Sequence, residues 1–282
     1  MSTFADLHLH TTYSDGTLSP LELLTKAKEV GLNTISITDH DTIGALDEAM
    51  EIGTALGIEV IPGVELSTTI DDREFHILGY FFDYHNAELL SYLDYFRSER
   101  LKRAEEIVDA LNSLKIPLRF ETVLKKVQGG SVGRSHIALA MFEGGFVRSY
   151  QDAFNKYLGV RCPAYVEKQC TPPEELFAMI TRAGGLSFIA HPGKSLNDAL
   201  LHTFIQSGID GIEVIHPSHS PGIVQFYRSV INEFFLLESG GSDFHGGERK
   251  DDSALGKYTI PLSAVNTMRN RLFQPSVSSV VE

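Results

Sequence analysis

Gly31-Leu32-Asn33-Thr34-Ile35-Ser36-Ile37-Thr38-Asp39-His40-Asp41 is a glycine, a short β-branched apolar run and then a knot of ionisable side chains. The same device recurs along the chain. Gly57 to Val64 ends at Glu65, Gly185 to Ala190 at His191-Pro192, Gly211 to Ile215 at His216-Pro217, and Phe235 to Ser239 runs on to Asp243-Phe244-His245. Each run is too short for a helix and too apolar for an exposed strand, so each reads as a buried parallel strand. Ahead of them, Asp6-Leu7-His8-Leu9-His10 reads as a strand whose two histidines share a face, because residues two apart on a strand point the same way.

Helical stretches separate the runs. Ser19-Pro20-Leu21-Glu22 is a capping box with proline at the first helical position and predicts a helix that stops at Gly31; Thr171-Pro172-Pro173-Glu174 predicts another that stops near Gly184. Alternating βα units with functional residues at strand C-termini predict an α/β, TIM-like barrel, whereas a doubly wound sheet would gather its ligands at one switch point. Two stretches depart from the rhythm. Ser67 to Ile70, Asp71-Asp72 and Arg73 to Phe82 read as a β-hairpin carrying His76. Beyond it the strand signal gives way to helix, with a long amphipathic stretch from Leu89 to Leu114 and a glycine-rich turn at Gly129-Gly130-Ser131-Val132-Gly133. The expected division is therefore a barrel from residues 1–86 and 164–273, a small helical subdomain inserted over its mouth at 87–163, and a polar tail at 274–282.

Composition narrows the function. With 43% apolar residues in 282, the chain can bury a sizeable core. It has no apolar run of about 18 residues and no basic-then-apolar N-terminus, so a cytoplasmic location without a membrane partner is expected. Cys162 and Cys170 make neither a disulfide framework nor a thiolate metal motif. The balance of 37 acidic against 24 basic residues, a net charge of −13, argues against binding long duplex nucleic acid through a basic surface. Small anionic substrates stay open, because bound dications invert the local charge.

The strand-end candidates are His8, His10, Asp15, His40, Glu65, His76, His191, His216, Asp243 and His245. The segments Asp6-Leu7-His8-Leu9-His10 with Tyr13-Ser14-Asp15-Gly16, Thr38-Asp39-His40-Asp41, Gly63-Val64-Glu65, His191-Pro192 and Ser242-Asp243-Phe244-His245 resemble the motif signature of the polymerase and histidinol phosphatase (PHP) superfamily. Within it the chain is most similar to bacterial members that remove a phosphate from nucleoside 3′,5′-bisphosphates and trim short RNA from its 5′ end. The resemblance implies a distorted (βα)7 barrel holding three divalent metals at its C-terminal face. Motif matching gives the first His8, His10, Glu65 and Asp243, makes Glu65 a bridge to a second completed by His76 and His191, and gives a third Asp15, His40 and His245. A hydroxide bridging the first two metals would attack phosphorus. Imidazoles and carboxylates without thiolate suit Mn²⁺, Zn²⁺ or Fe²⁺ better than Mg²⁺ or Ca²⁺, and Mn²⁺ is the expected occupant. The sequence has no Gly-x-Ser-x-Gly elbow, so no covalent nucleophile is expected.

The general acid stays open among a metal-bound water, Asp41 and His216. Asp39 is expected to orient a neighbouring ligand or a water, Asp6 either to support a ligand or to be simply structural, and His85, His202 and His219 to be surface or satisfied core histidines. For the substrate, Arg97, Arg100 and Arg103 fall on one helical face, and Arg134-Ser135-His136 opens a helix after the glycine-rich turn, where backbone N–H groups favour anions. That segment resembles the family's Gly-Arg-Pro-His, whose Arg and His contact substrate phosphate, with Ser135 in place of proline. Lys168 is a further candidate contact. The expected substrate is a small nucleotide or short RNA, without a stable protein partner. Histidinol phosphate hydrolysis and a non-catalytic phosphate or metal sensor are the competing readings.

Overall fold

The computed structural model describes residues 3–70, 73–127, 130–194, 196–249 and 251–273. The expected tail at 274–282, the hairpin turn Asp71-Asp72 and Gly129 of the glycine-rich turn lie outside the described residues. Strands β1 (Phe4–Leu9), β2 (Thr34–Ile37), β3 (Glu59–Ile70), β4 (Arg73–Tyr80), β5 (Leu186–Ile189), β6 (Gly211–Ile215), β7 (Leu237–Gly240) and β8 (Ile260–Pro261) make one sheet in the order β7-β6-β5-β4-β3-β2-β1-β8. β1 to β3 run parallel, as do β5 to β7, while β4 is antiparallel to both of its neighbours and β8 to β1.

The sheet curls into a nearly closed barrel. Its two ends meet where Leu9 bridges Phe244 and the His10 N–H donates to the Phe244 carbonyl at 3.0 Å. Glycine alone fits position 241 at this seam without a shift of the backbone, because a Cβ there would lie 2.4 Å from both the backbone nitrogen and the Cβ of His8. The seam brings the chain's first metal-ligand candidates against its last.

Helices α1 (Pro20–Glu29), α2 (Leu46–Leu56), α8 (Asp198–Gln206), α9 (Pro221–Phe234) and α10 (Leu262–Phe273) follow strands as the rhythm predicts, while α3 (Ala87–Ser113), α4 (Phe120–Leu124), α5 (Arg134–Glu143), α6 (Tyr150–Ala153) and α7 (Pro173–Arg182) fall between β4 and β5, with α7 leading back into the barrel. The capping box at α1 forms, with the Ser19 N–H donating to Glu22 Oε2 at 2.8 Å, and Gly31 leaves the helix at φ +86°. At α7 the expected box does not form. Pro172 is the N-cap, and the Thr171 carbonyl instead accepts the Thr68 hydroxyl at 2.7 Å, which ties the loop to β3.

β3 is longer than its sequence suggests. The two expected runs around Glu65 are one twelve-residue strand, which passes the end of β2 at Ile37 and continues as the hairpin with β4, paired from Gly63–Tyr80 to Ile70–Arg73. Glu65 is therefore a mid-strand residue. α3 spans two cores: Leu89 and Leu93 pack with the barrel, whereas Ala104, Ile107, Val108 and Leu111 pack with Ile137 and Met141 of α5 in a separate cluster.

Overpacking a tight contact typically costs about 1–3 kcal/mol. Gly241→Ala should lower unfolding stability by that order in urea titration, and an unchanged midpoint would contradict this account of barrel closure.

Candidate metal centre

Glu65 is buried and presents its two oxygens to five imidazoles. Oε1 lies 2.7 Å from His76 Nδ1 and 3.0 Å from His191 Nε2; Oε2 lies 3.0 Å from His40 Nδ1, 3.3 Å from His10 Nε2 and 3.4 Å from His8 Nε2. The hairpin register explains the first contact, since Ser67 faces His76 across the ladder and Glu65 is its diagonal neighbour on the same face. Burial would raise the Glu65 carboxyl, but His40, His76 and His8 hold it well below the usual carboxylate range. Burial pushes His40 down to about 4 against the pull of Glu65 and Asp15. For His76 the Glu65 carboxylate outweighs burial and raises it to about 9.

Partners on the far side of two rings set their orientation. His8 Nδ1 lies 2.9 Å from Glu213 Oε1, an acceptor when ionised, so the neutral ring donates there and turns its Nε2 lone pair toward Glu65 and Asp243 Oδ1, each 3.4 Å away. Against burial, the surrounding Glu213, Asp243 and Glu65 carboxylates raise this imidazole well above its usual value, so it gathers positive charge at Nε2. His10 Nδ1 is 3.4 Å from Ser14 Oγ, whose own proton goes to Asp39 Oδ1 at 2.5 Å. The His10 Nε2 lone pair then faces Glu65 and Asp243, the latter at 3.2 Å. Asp39 also accepts the Thr11 N–H at 2.8 Å and thus supports the loop after β1. Asp6 takes the Ser242 N–H at 2.9 Å and pins the seam.

A second group gathers beside the first. Asp15 Oδ1 lies 3.1 Å from His245 Nε2 and 3.7 Å from His40 Nε2. Arg249 NH2 is 2.5 Å from Asp15 Oδ2, and its NH1 is 2.9 Å from His245 Nδ1. His216 Nε2 stands 3.4 Å from Asp243 Oδ2, with Nδ1 on Ser218 Oγ at 2.8 Å.

These atoms fit a set of divalent cations. His8 Nε2, His10 Nε2, Asp15 Oδ1, His40 Nδ1, Glu65 Oε2 and His245 Nε2 are buried and have no hydrogen-bond partner, a costly arrangement unless something else is bound by them. Four groups have ligand atoms mutually within 4.8 Å: His10-Asp15-His40-His245, His8-His10-Asp243, His8-Glu65-His191 and His40-Glu65-His76. Imidazoles turned by outer carboxylates are the usual construction of such centres.

The mouth beside them is basic. Arg100, Arg103, Arg134, Lys168 and Arg249 line an open cavity of about 510 Å³ together with Ser135, Phe154, His40, His76, Asp15 and Glu74. Arg134 donates to Glu74 Oε2 at 3.0 Å, and the guanidiniums of Arg103 and Arg134 sit 5.9 and 5.7 Å from the Tyr165 ring centre. Arg97, expected on the same face, pairs with Asp94 and is 62% exposed. His136 departs from its expected role, since its Nδ1 accepts the Gly133 N–H at 3.1 Å and the ring is buried at the start of α5 instead of lining the cavity. Asp41 departs as well. Arg100 Nε and Lys168 Nζ reach Asp41 Oδ2 at 2.7 and 3.0 Å. Burial alone would raise this carboxyl, but the two cations hold it well below the usual carboxylate range, so it carries no proton to give at neutral pH. His219 is a satisfied core histidine, bonded to the Val214 carbonyl at 2.8 Å.

Three residues at the centre have no place in the sequence reading. Glu213 had a usable signal, a lone charge inside the apolar run Gly211 to Ile215. Glu74 sits two residues before His76 on the same strand face. Arg249 arrives by way of Gly246 and Gly247, both at positive φ, and nothing in its sequence neighbours announces it.

Barrel, carboxylate–imidazole cluster and basic mouth together define the metal-dependent phosphoesterase class, and comparison with known proteins places the chain within it. Residues 6–167 match the PHP domain, and the chain belongs to that family. It is 37% identical over 246 residues to a 5′-3′ exoribonuclease of Haemophilus influenzae, covering 85% of this chain and 89% of that one. To the 3′,5′-nucleoside bisphosphate phosphatase of Chromobacterium violaceum it is 32% identical over 246 residues, covering 85% and 86%. A crystal structure from Bifidobacterium adolescentis, proposed to be a metal-dependent phosphoesterase, superposes with a TM-score of 0.88 at 30% identity over 95% of this chain and 96% of that one.

Removing one partner of a buried ion pair costs about 3–5 kcal/mol. Asp41→Asn should therefore destabilise the fold by that order at pH 7. Because the folded carboxyl is depressed, its contribution is present above the unfolded value of about 3.9 and is lost as pH falls below it. Urea titrations at pH 7 and about pH 2.5, below the unfolded value, should show the wild-type advantage shrinking at the lower pH, and a constant difference would contradict the assignment.

Proposed function

We propose that the chain hydrolyses phosphate esters of small nucleotides, taking nucleoside 3′,5′-bisphosphates and the 5′ ends of short oligoribonucleotides. The observation that carries this reading is the cluster of buried, unpaired imidazole and carboxylate atoms opening onto a wall of five cationic side chains, on a protein of net charge −13. The names of the exoribonuclease and bisphosphate phosphatase relatives support the substrate class.

In this reading His8, His10, Glu65 and Asp243 hold one divalent cation, Glu65, His76 and His191 a second, and Asp15, His40 and His245 a third. Mn²⁺ suits the donor set, with Zn²⁺ or Fe²⁺ as alternatives. Bound there, such cations supply charge neutralisation for phosphate oxygens and a water of lowered pKa. The chain's own side chains supply position and charge. Arg134 and Ser135 at the start of α5 hold a second anionic group, because an arginine beside free N–H groups at a helix N-terminus suits a phosphate. Asp41 fixes Arg100 and Lys168 in the wall between them. Phosphoryl transfer depends mainly on such positioning and charge, so no covalent nucleophile is required.

Residues 1–86 and 164–273 form the barrel in this scheme, and 87–163 the subdomain that contributes Arg100, Arg103 and Arg134 to its mouth. A cytoplasmic location fits a small-nucleotide substrate. Among the described residues no helix is long and apolar enough to cross a membrane.

Phosphate release with Mn²⁺ from adenosine 3′,5′-bisphosphate, AMP, histidinol phosphate and short 5′-phosphorylated RNA tests the reading. The bisphosphate or the RNA should turn over fastest, a chelator should abolish activity and Mn²⁺ restore it. Turnover of histidinol phosphate alone would contradict the substrate assignment. Arg134→Ala should raise KM for the bisphosphate by roughly tenfold or more, in line with the loss of a charge-assisted bond worth about 1.5–3 kcal/mol, while normal kinetics would remove Arg134 as an anchor.

A further inference from the structure

Glu213 is a charged residue at the middle of a five-residue strand, completely buried, with no sequence motif around it. A buried carboxylate in such a place is costly unless its bonds are made. Both oxygens have partners: Oε1 lies 2.9 Å from His8 Nδ1, and Oε2 accepts the backbone N–H of His191 at 2.6 Å. His191 has φ +28°, a backbone state that a bulky side chain rarely adopts and that persists only where its surroundings hold it. The β6–β7 register slips just after Glu213, between its pairing with Ser239 and that of Ile215 with Gly240. Register slips of this kind re-aim side chains beside functional sites.

We infer that Glu213 is a positioning residue that sets two candidate ligands at once, turning the His8 lone pair toward Glu65 and Asp243 and holding the His191 backbone in the turn that delivers its ring to Glu65. The inference rests on the metal-centre reading above and deepens it. His8 and His191 leave different strands, and their rings lie 5.7 Å apart in a stacked arrangement. One carboxylate behind both keeps that separation. An amide in its place could serve only one of them correctly. If its oxygen kept the His191 N–H, its NH₂ would face His8 Nδ1, force the proton onto Nε2 and cap the lone pair that points at Glu65.

The test compares wild type, Glu213→Gln and Glu213→Asp by Mn²⁺ titration calorimetry and by metal content after dialysis against buffered Mn²⁺, with circular dichroism and thermal unfolding of the metal-free proteins alongside. Loss of such an outer partner costs about 10–100-fold in metal affinity. The Gln variant should lose that much and the Asp variant, too short to reach both partners, an intermediate amount. The visible spectrum of the Co²⁺-loaded Gln variant should also differ from wild type. A purely structural Glu213 would lower the unfolding temperature of the metal-free variants and leave Mn²⁺ affinity and the Co²⁺ spectrum unchanged, which overturns the inference. If the Gln variant does not fold, wild-type affinity in the folded Asp variant overturns it equally. Wild type that takes up no Mn²⁺ sinks the metal-centre reading itself, a result distinct from equal binding by all three proteins.

Discussion

One buried carboxylate, Glu65, constrains the whole structure. Five imidazole nitrogens stand within 3.4 Å of its oxygens. Each neutral ring has one N–H and one lone pair, and for His8 and His10 the N–H is directed outward to Glu213 and to the Ser14-Asp39 relay. In the neutral rings the remaining lone pairs therefore face a carboxylate oxygen at close range. Lone pair against lone pair is repulsive in a dry site unless a proton or a cation lies between them, and divalent cations are the charges suited to several imidazoles and carboxylates together. The demand for cations is thus built into the packing around Glu65.

The fold meets that demand by bringing residues distant in sequence to one end of a barrel. The seam between β1 and the segment after β7 sets Asp243 and His245 against His8 and His10, and it depends on Gly241 passing against the His8 backbone. The reversed strand β4 contributes the other side. By extending β3 past the end of β2, the hairpin carries Glu65 and His76 out over the barrel mouth, where a βα unit would have turned away into a helix. The inserted helices then supply most of the cations. α3 links the two parts physically, with its first turns in the barrel core and its later turns in the second core, so Arg100 stands at the junction and closes onto Asp41 of the barrel.

Much of this was legible from the order of residues, for identifiable reasons. Buried parallel strands announce themselves as short β-branched runs, and side chains that follow such runs lie at one end of a barrel, which is why the sequence alone groups His40, His191, Asp243 and their partners. Glu65 was placed correctly beside them but on the wrong kind of position, since a strand end and the middle of a long hairpin strand look alike where Gly63 interrupts the pattern. Glu213 was hidden because the rhythm drew attention to strand ends and away from strand interiors. His136 and Asp41 show the opposite limit. The family resemblance implies a phosphate contact for His136, and Asp41 is a general-acid candidate by its place beside His40, but whether a side chain faces the cavity or satisfies its own backbone and neighbours is decided by tertiary packing, in these cases by the Gly133 N–H and by the Arg100-Lys168 pair. Arg249 was not legible at all, because its approach to Asp15 depends on the path of a loop.

Crystals grown with Mn²⁺ and measured at its absorption edge test the central claim most directly. The account predicts anomalous peaks within coordinating distance of Glu65, one shared with His8, His10 and Asp243 and another with His76 and His191, and a further peak at Asp15, His40 and His245. Anomalous signal confined to surface carboxylates, with the Glu65 cluster unchanged and free of metal, would contradict it.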